Sequence, residues 1–300
     1  MIKRIGLFLL TNIAIIAVIS VMLSIFNVDP YLTQSGLNYE ALLAFSAIVG
    51  FTGSIISLLI SKWMAKMAFG VEVIEQPRGR DEQAVFETVK RLSEQVGIEM
   101  PEIGIYHSPE ANAFATGWNK NKALVAVSSG LLERMDRDEL DGVLAHEMAH
   151  IANGDMVTLA LIQGVVNTFV IFFARIAAFF VQSFLSRGRD DGGQIGGLAY
   201  YLTAIVFEIL FGILASIIVM YFSRWREFRA DAGSAKLLGG PQKMIAALER
   251  LGELHNLPTD PRGRSFEAFK IDGRPSRFMA LFSSHPPLEE RIAALKKYHG

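Results

Sequence analysis

Two stretches of this 300-residue chain carry no charge at all: Ile5 to Phe26 and Ala41 to Ser61 contain no Asp, Glu, Lys or Arg. At about 1.5 Å per residue, either run crosses a hydrocarbon core of about 30 Å as a helix. Inside lipid, the backbone polar groups of such a run must be satisfied internally, which a helix does. Both runs are therefore predicted to span a membrane. Lys3 and Arg4 before the first run also fit a signal peptide. That run is longer than a signal-peptide core and no small-x-small site closes it, so it reads as an uncleaved anchor.

Two further apolar blocks follow. Met156 to Leu185 is interrupted by Arg175, and Gly196 to Phe222 by Glu208. Residues 186–195, SRGRDDGGQI, form a turn-rich link, so the pair is predicted to be a membrane hairpin. A symmetric hairpin turning inside that link puts Arg175 and Glu208 at similar depth. They can pair there, or each can face water separately; spacing leaves both open. Lys3, Arg4, Lys62 and Lys66 flank the first two runs, whereas residues 27–40 contain no Lys or Arg. The positive-inside rule then predicts the N-terminus, residues 62–155 and residues 223–300 on the cytoplasmic side.

Four segments result: a transmembrane helix pair over 1–69, the first part of a polar domain over 70–155, the hairpin over 156–222, and the second part of that domain over 223–300. The expected fold is a mainly α-helical membrane protein. It has two N-terminal transmembrane helices and, on the HEMAH pattern at 146–150, a zincin-like α+β catalytic domain interrupted by a hydrophobic helical hairpin. Apolar periodicity predicts a helix over Asp81–Val96, and further helices over Glu227–Leu238, Pro241–His255 and Leu288–Tyr298. Short strands are expected at Ile103–Tyr106, Asn112–Thr116 and Ala123–Ser128. Residues 257–284 read as a long loop. Asp136 followed by Glu139 resembles a capping box, and Gly154 a stop, for a helix over Asp136–Asn153.

That last helix carries the chemistry. Hydrophobic residues are 51% of the chain, charged residues 20%, and the net charge is -1. This balance excludes disorder and argues against a nucleic-acid partner. There is no cysteine, so any metal must be held by His, Asp, Glu, carbonyls or water. His146 and His150 are four apart on one face of the predicted helix, the spacing at which two imidazoles hold one zinc ion. Glu147 lies beside them, placed to take a proton from water. A catalytic zinc needs a third protein ligand. The hairpin register brings the chain back near Met156 at about Glu227, which is therefore the candidate; a boundary Glu paired with nearby arginines is the competing reading. Asp231, one turn on, can accept an N–H from a ligating histidine.

HEMAH at 146–150, EFRAD at 227–231, NAFATG at 112–117 and SHPPLEER at 284–291, in this order, resemble the HtpX family of bacterial membrane zinc metalloproteases. These are relatives of the CaaX-type prenyl-protein endopeptidases. The resemblance implies one Zn²⁺ per chain on His146, His150 and Glu227, with Glu147 as general base and Asp231 supporting a ligand. It implies that Asn112, Ala113, Phe114 and Ala115 form an edge strand bordering a substrate cleft. Alone, that segment reads as an ordinary strand with Phe114 in the core. It implies that His285 approaches the site and helps to hold an oxyanion; alone, His285 reads as a surface or capping residue. Arg291 is open between assisting and pairing with an acid. His107, His255 and His299 read as surface or packing residues. The expected activity is a zinc endopeptidase in membrane-protein quality control at the cytoplasmic face of the bacterial inner membrane. Its partners are protein substrates and the bilayer, with no nucleic acid. A protease working inside the bilayer is disfavoured by the charges at 136–141. A metal transporter or scaffold is disfavoured because the ligand pattern lies outside the predicted spans.

Overall fold

The computed structural model describes residues 17–26, 28, 30–33, 36–185, 197–255 and 284–298. Most of the first predicted span, the 186–195 link and nearly all of the 257–284 loop lie outside the described residues. In chain order the elements begin with α1 (described over 17–25), β1 (Leu32–Thr33), β2 (Gly36–Leu37), α2 (Tyr39–Phe69) and β3 (Glu72–Val73). Then come α3 (Arg80–Val96), β4 (Glu102–Tyr106), β5 (Ala113–Thr116), β6 (Leu124–Ser128), α4 (Ser129–Arg134) and α5 (Arg137–Asn153). The last are α6 (Asp155–Leu185), α7 (Leu198–Leu238), α8 (Gln242–His255) and α9 (Leu288–Lys296).

The chain divides into two compact units. One holds Met1–Ser57 and Leu159–Val219, the other Leu58–Thr158 and Met220–Gly300. In the first, α2, α6 and α7 supply helices long and apolar enough to cross a membrane. Their large apolar side chains stay uncovered: Phe169, Val206, Ile209 and Leu214 are exposed. That pattern suits lipid as the neighbour. Small residues let backbones meet in this unit. A Cβ at Gly50 would lie 2.7 Å from the Thr168 nitrogen and 2.9 Å from the Gly164 oxygen, the close approach that small residues give membrane helices. Arg175 Nη1 lies 2.7 Å from Glu208 Oε1. Of the two readings left open by spacing, pairing is the one adopted.

The sequence suggested an apolar block ending at Phe222 and a separate helix from Glu227. The structure joins them in the single 41-residue helix α7. Neither Gly nor Pro occurs between Gly212 and Gly233 to break it, and it stops at Gly239, whose φ of 73° is in the left-handed region.

The second unit is built on a four-stranded sheet of order β3-β4-β6-β5. β4 runs parallel to β6, while β3 and β5 pair antiparallel to their neighbours. β6 is buried along its whole length, so its sequence, LVAVS, is apolar on both faces. Val125 and Val127 pack with Val85, Val89 and Leu92 of α3 and Leu144, Met148 and Ile151 of α5. Leu124 and Ala126 face the other way, toward Tyr106 and Phe114.

The capping box of α5 forms as expected. Asp136 Oδ1 accepts from the backbone N–H groups of Asp138 and Glu139, each at 2.9 Å, and Glu139 Oε2 accepts from the Asp136 N–H at 2.9 Å. Gly154, with φ 67°, ends the helix, and α6 begins at once with Asp155. Glycines set how closely α5 meets its neighbours. A Cβ at Gly142 would lie 2.6 Å from the Lys243 oxygen, and one at Gly233 would lie 2.8 Å from Ala149 Cβ. Ser234 Oγ donates to the Gly142 carbonyl at 3.2 Å. The Gly142 contact sets α8 against the HEMAH helix, and the Gly233 and Ser234 contacts hold α7 against it.

Candidate metal centre

One turn of α5 separates His146 from His150, so their rings point the same way. Their Nε2 atoms are 3.1 Å apart. From α7, Glu227 Oε2 is 3.4 Å from His146 Nε2, and its Oε1 is 3.3 Å from His150 Nε2. A tetrahedral centre with ligands at about 2.0–2.1 Å spaces its donors about 3.3 Å apart. The three side chains thus form a triangle of the right size and could hold a metal ion. Glu227 Oε2 also lies 2.9 Å from His285 Nδ1 and 3.4 Å from Arg291 Nη1. It is buried, yet makes no well-aligned hydrogen bond. A buried carboxylate oxygen in that condition suits a cation.

The outer face of each histidine is held by a carboxylate. His146 Nδ1 is 2.9 Å from Asp231 Oδ1, as the EFRAD spacing suggested. Arg291, brought in by α9, donates to both oxygens of Asp231, Nε to Oδ2 at 2.8 Å and Nη2 to Oδ1 at 2.6 Å. The open reading of Arg291 resolves into a two-pronged pair with that acid. His150 Nδ1 is 2.6 Å from Asp155 Oδ2, and Arg226 Nη1 donates to the Asp155 carbonyl at 3.2 Å. Sequence reasoning missed Asp155 and Arg226. The available signal was an acid directly after the helix-ending Gly154, five residues beyond His150.

These contacts shift the titrating groups. Burial works against a charged His150, but hydrogen bonds to Asp155 and Glu227 outweigh it and push its pKa up to about 9. Burial likewise opposes charge on His146, and Asp231 and Glu227 raise it nonetheless. Burial raises Glu227, but the imidazoles of His146, His150 and His285 set against it outweigh that and hold it well below the carboxylate range. Glu147 moves the other way. Burial raises it, only partly offset by the nearby imidazoles and by the Ala115 backbone.

The site opens into a cleft of about 450 Å³. Asn112, Ala113, Phe114 and Ala115 line it together with His146, Glu147, His150, Glu227 and His285. Phe69, Met156 and Arg226 line it too, and sequence reasoning did not single them out. β5 is the terminal strand of its sheet. Phe114 has both suggested places at once: it borders the cleft and packs against Phe69 and Tyr106, with ring centroids 5.1 and 5.7 Å away. His285 is largely exposed beside Glu227. His107 is exposed away from the cleft lining; the side chain of His255 and residue His299 lie outside the described residues.

Comparison with known proteins agrees with this geometry. Residues 80–299 match the model of peptidase family M48. "Protease HtpX" of Tolumonas auensis is 57% identical over 295 residues, covering 98% of this chain and 99% of that protein. "Protease HtpX" of Thioalkalivibrio sulfidiphilus is 57% identical over 297 residues, covering 98% of each. The crystal structure of S. mikatae Ste24p shares the fold with a TM-score of 0.68 at 20% identity. It covers 99% of this chain, which spans 65% of the Ste24p chain. Together with three helices, among the described residues, long and apolar enough to cross a membrane, these matches place the chain in the HtpX family of membrane-bound metalloendopeptidases within peptidase family M48.

Proposed function

We propose that the chain is a zinc endopeptidase that hydrolyses peptide bonds in misfolded or damaged membrane proteins, at the cytoplasmic surface of a bacterial inner membrane. The observation that carries this reading is the His146–His150–Glu227 triangle beside Glu147, at a cleft bordered by the terminal strand β5. The donor set, two imidazoles and one carboxylate, is that of a catalytic zinc site with a position left open.

When bound there, zinc supplies Lewis-acid polarisation of the scissile carbonyl and lowers the pKa of the attacking water toward about 7. The chain's own groups do the rest. An extended substrate adds to the outer edge of β5 through main-chain hydrogen bonds, which accommodates varied side chains. Asn112 at the start of that edge bonds a substrate carbonyl. The Glu147 carboxylate takes the proton of the attacking water and returns one to the leaving amine. Its upward-shifted pKa suits both duties. His285, exposed at the cleft wall, donates to the developing oxyanion. Asp231 with Arg291, and Asp155 with Arg226, fix the tautomer and direction of the two ligating histidines.

The test is Glu147→Gln. It is expected to bind about one zinc per chain and to lose turnover by about 10²-fold or more, measured on detergent-solubilised protein with a loosely folded substrate. A purified Glu147→Gln protein that still cleaves at the parent rate overturns the assignment. Glu227→Ala should instead lose the metal.

A further inference from the structure

The charge-free stretch of α2 ends at Ser61, and Lys62 is the first charge beyond it. Lys62 Nζ donates to the backbone carbonyl of Lys122 at 3.3 Å and pairs with Glu102 at 2.7 Å. Lys66 pairs with the same Glu102. One lysine side chain therefore ties the Trp118–Lys122 segment to α2, one residue past a stretch the length of a hydrocarbon core.

The segment is firmly held. Gly117 turns with φ 143°, and a Cβ there would lie 2.9 Å from Ala123 Cα. Asn119 accepts from the Asn121 N–H at 2.8 Å, and Asn121 Oδ1 accepts from the Glu99 N–H at 3.3 Å. This built loop nonetheless presents Trp118, 39% exposed, and the exposed Lys120 and Lys122, with Lys122 Nζ 5.3 Å from the Trp118 ring. Residues 118–122 contain no acid. On α2 itself, Trp63 is also exposed, next to Lys62. Trp flanked by Lys at the end of a membrane span is the chemistry of a lipid interface: the indole settles among headgroups and the ammonium groups meet lipid phosphates.

We propose that the Trp118–Lys122 loop is a membrane-surface contact. It seats Trp118 at headgroup level in the bilayer that α2 crosses, with Lys120 and Lys122 toward anionic lipid. The loop directly follows β5, so the contact holds the far end of the cleft's edge strand at the bilayer surface. Building on the peptidase reading, the favoured substrates are segments that emerge from or lie along the membrane.

The first test reads no turnover, so its failure is distinct from failure of the peptidase reading. Trp63→Phe with Trp225→Phe leaves Trp118 as the sole tryptophan. In nanodiscs, headgroup-nitroxide lipids are expected to quench it several-fold more than lipids labelled at the acyl-chain end. The quenching should rise when anionic phosphatidylglycerol replaces part of the phosphatidylcholine, and fall in Lys120→Glu with Lys122→Glu. Quenching by aqueous acrylamide alone, with no response to nitroxide lipids, overturns the proposal. Should the tryptophan replacements fail to fold, Lys120→Cys carries a single nitroxide in this cysteine-free chain. Oxygen, which partitions into lipid, is then expected to relax the label several-fold more than a water-soluble chromium chelate; the reverse order overturns the proposal. In a second test, Trp118→Ser with Lys120→Glu should lower cleavage of a membrane-anchored substrate several-fold and leave a soluble peptide unaffected. Equal effects on both substrates overturn the link to substrate class.

Discussion

Asp155 touches no substrate, yet its removal should be measurable in metal affinity. Its Oδ2 lies 2.6 Å from His150 Nδ1; the Asp155 side chain is buried at 1% exposure and that of His150 is largely covered at 12%. A hydrogen bond to a charged group in such a place contributes about 1.5–3 kcal/mol. Asp155→Ala removes it and leaves the His150 N–H without an acceptor, so metal binding should weaken about 10–100-fold. Asp155→Asn keeps an oxygen in place and loses only the charge, so its loss should be about tenfold or less. Protons modify the measurement. His150 without metal holds its proton up to about pH 9, so at neutral pH the metal must displace it. Losing Asp155 lowers that pKa and returns part of the affinity at neutral pH; near pH 9 the full loss should emerge. The assay is competition against a fluorescent zinc chelator at both pH values, in the Glu147→Gln background to prevent self-cleavage. If Asp155→Ala binds zinc within about twofold of its parent near pH 9, the carboxylate does not tune the ligand and the reasoning fails.

Other perturbations test other parts of the structure. In the chelated protein, the His150 pKa is raised from 6.5 to about 9. Its contribution to stability is complete below about pH 6.5 and is lost as pH rises through about 9, so the melting temperature should fall across that window, and not when metal is bound. Gly142→Ala forces a Cβ to within 2.6 Å of the Lys243 oxygen and should destabilise by about 1–3 kcal/mol in denaturant or thermal melts. Gly252→Ala, by contrast, meets only Leu288 Cδ1 at 3.4 Å inside α8, and should stabilise by roughly 0.5–1 kcal/mol. Arg175→Leu and Glu208→Leu should show a coupling of about 0.5–3 kcal/mol in a double-mutant cycle; strictly additive losses would mean that the 2.7 Å pair does not act as one.

Much of the site was legible because its determinants are local. The capping box at Asp136, the stop at Gly154 and the four-residue spacing of His146 and His150 are all set within one helix. Hairpin arithmetic reached Glu227 over a long gap because a long apolar run, even one interrupted by a single charge, admits few structures in lipid. The boundary within α7 was misread because a change of composition at Phe222 resembles a helix end, although no residue there breaks the hydrogen-bond ladder. Asp155 was overlooked because it sits in the first turn of the next helix, outside the apolar pattern that drew attention to that segment.

By itself, then, the sequence determined the membrane-length helices, the four-residue spacing of His146 and His150 and the family, all carried by short-range periodicity and motif identity. Only the tertiary structure decided the partners. Arg291 meets Asp231 sixty residues away, and Asp155 is tied to Arg226 seventy-one residues on. The cleft lies where β5 is left at the sheet edge. The reason is physical: local hydrogen bonding and hydrophobic spacing are written in neighbouring residues. Which charge meets which depends on how closely the helices approach, and here Gly142 and Gly233 set that distance.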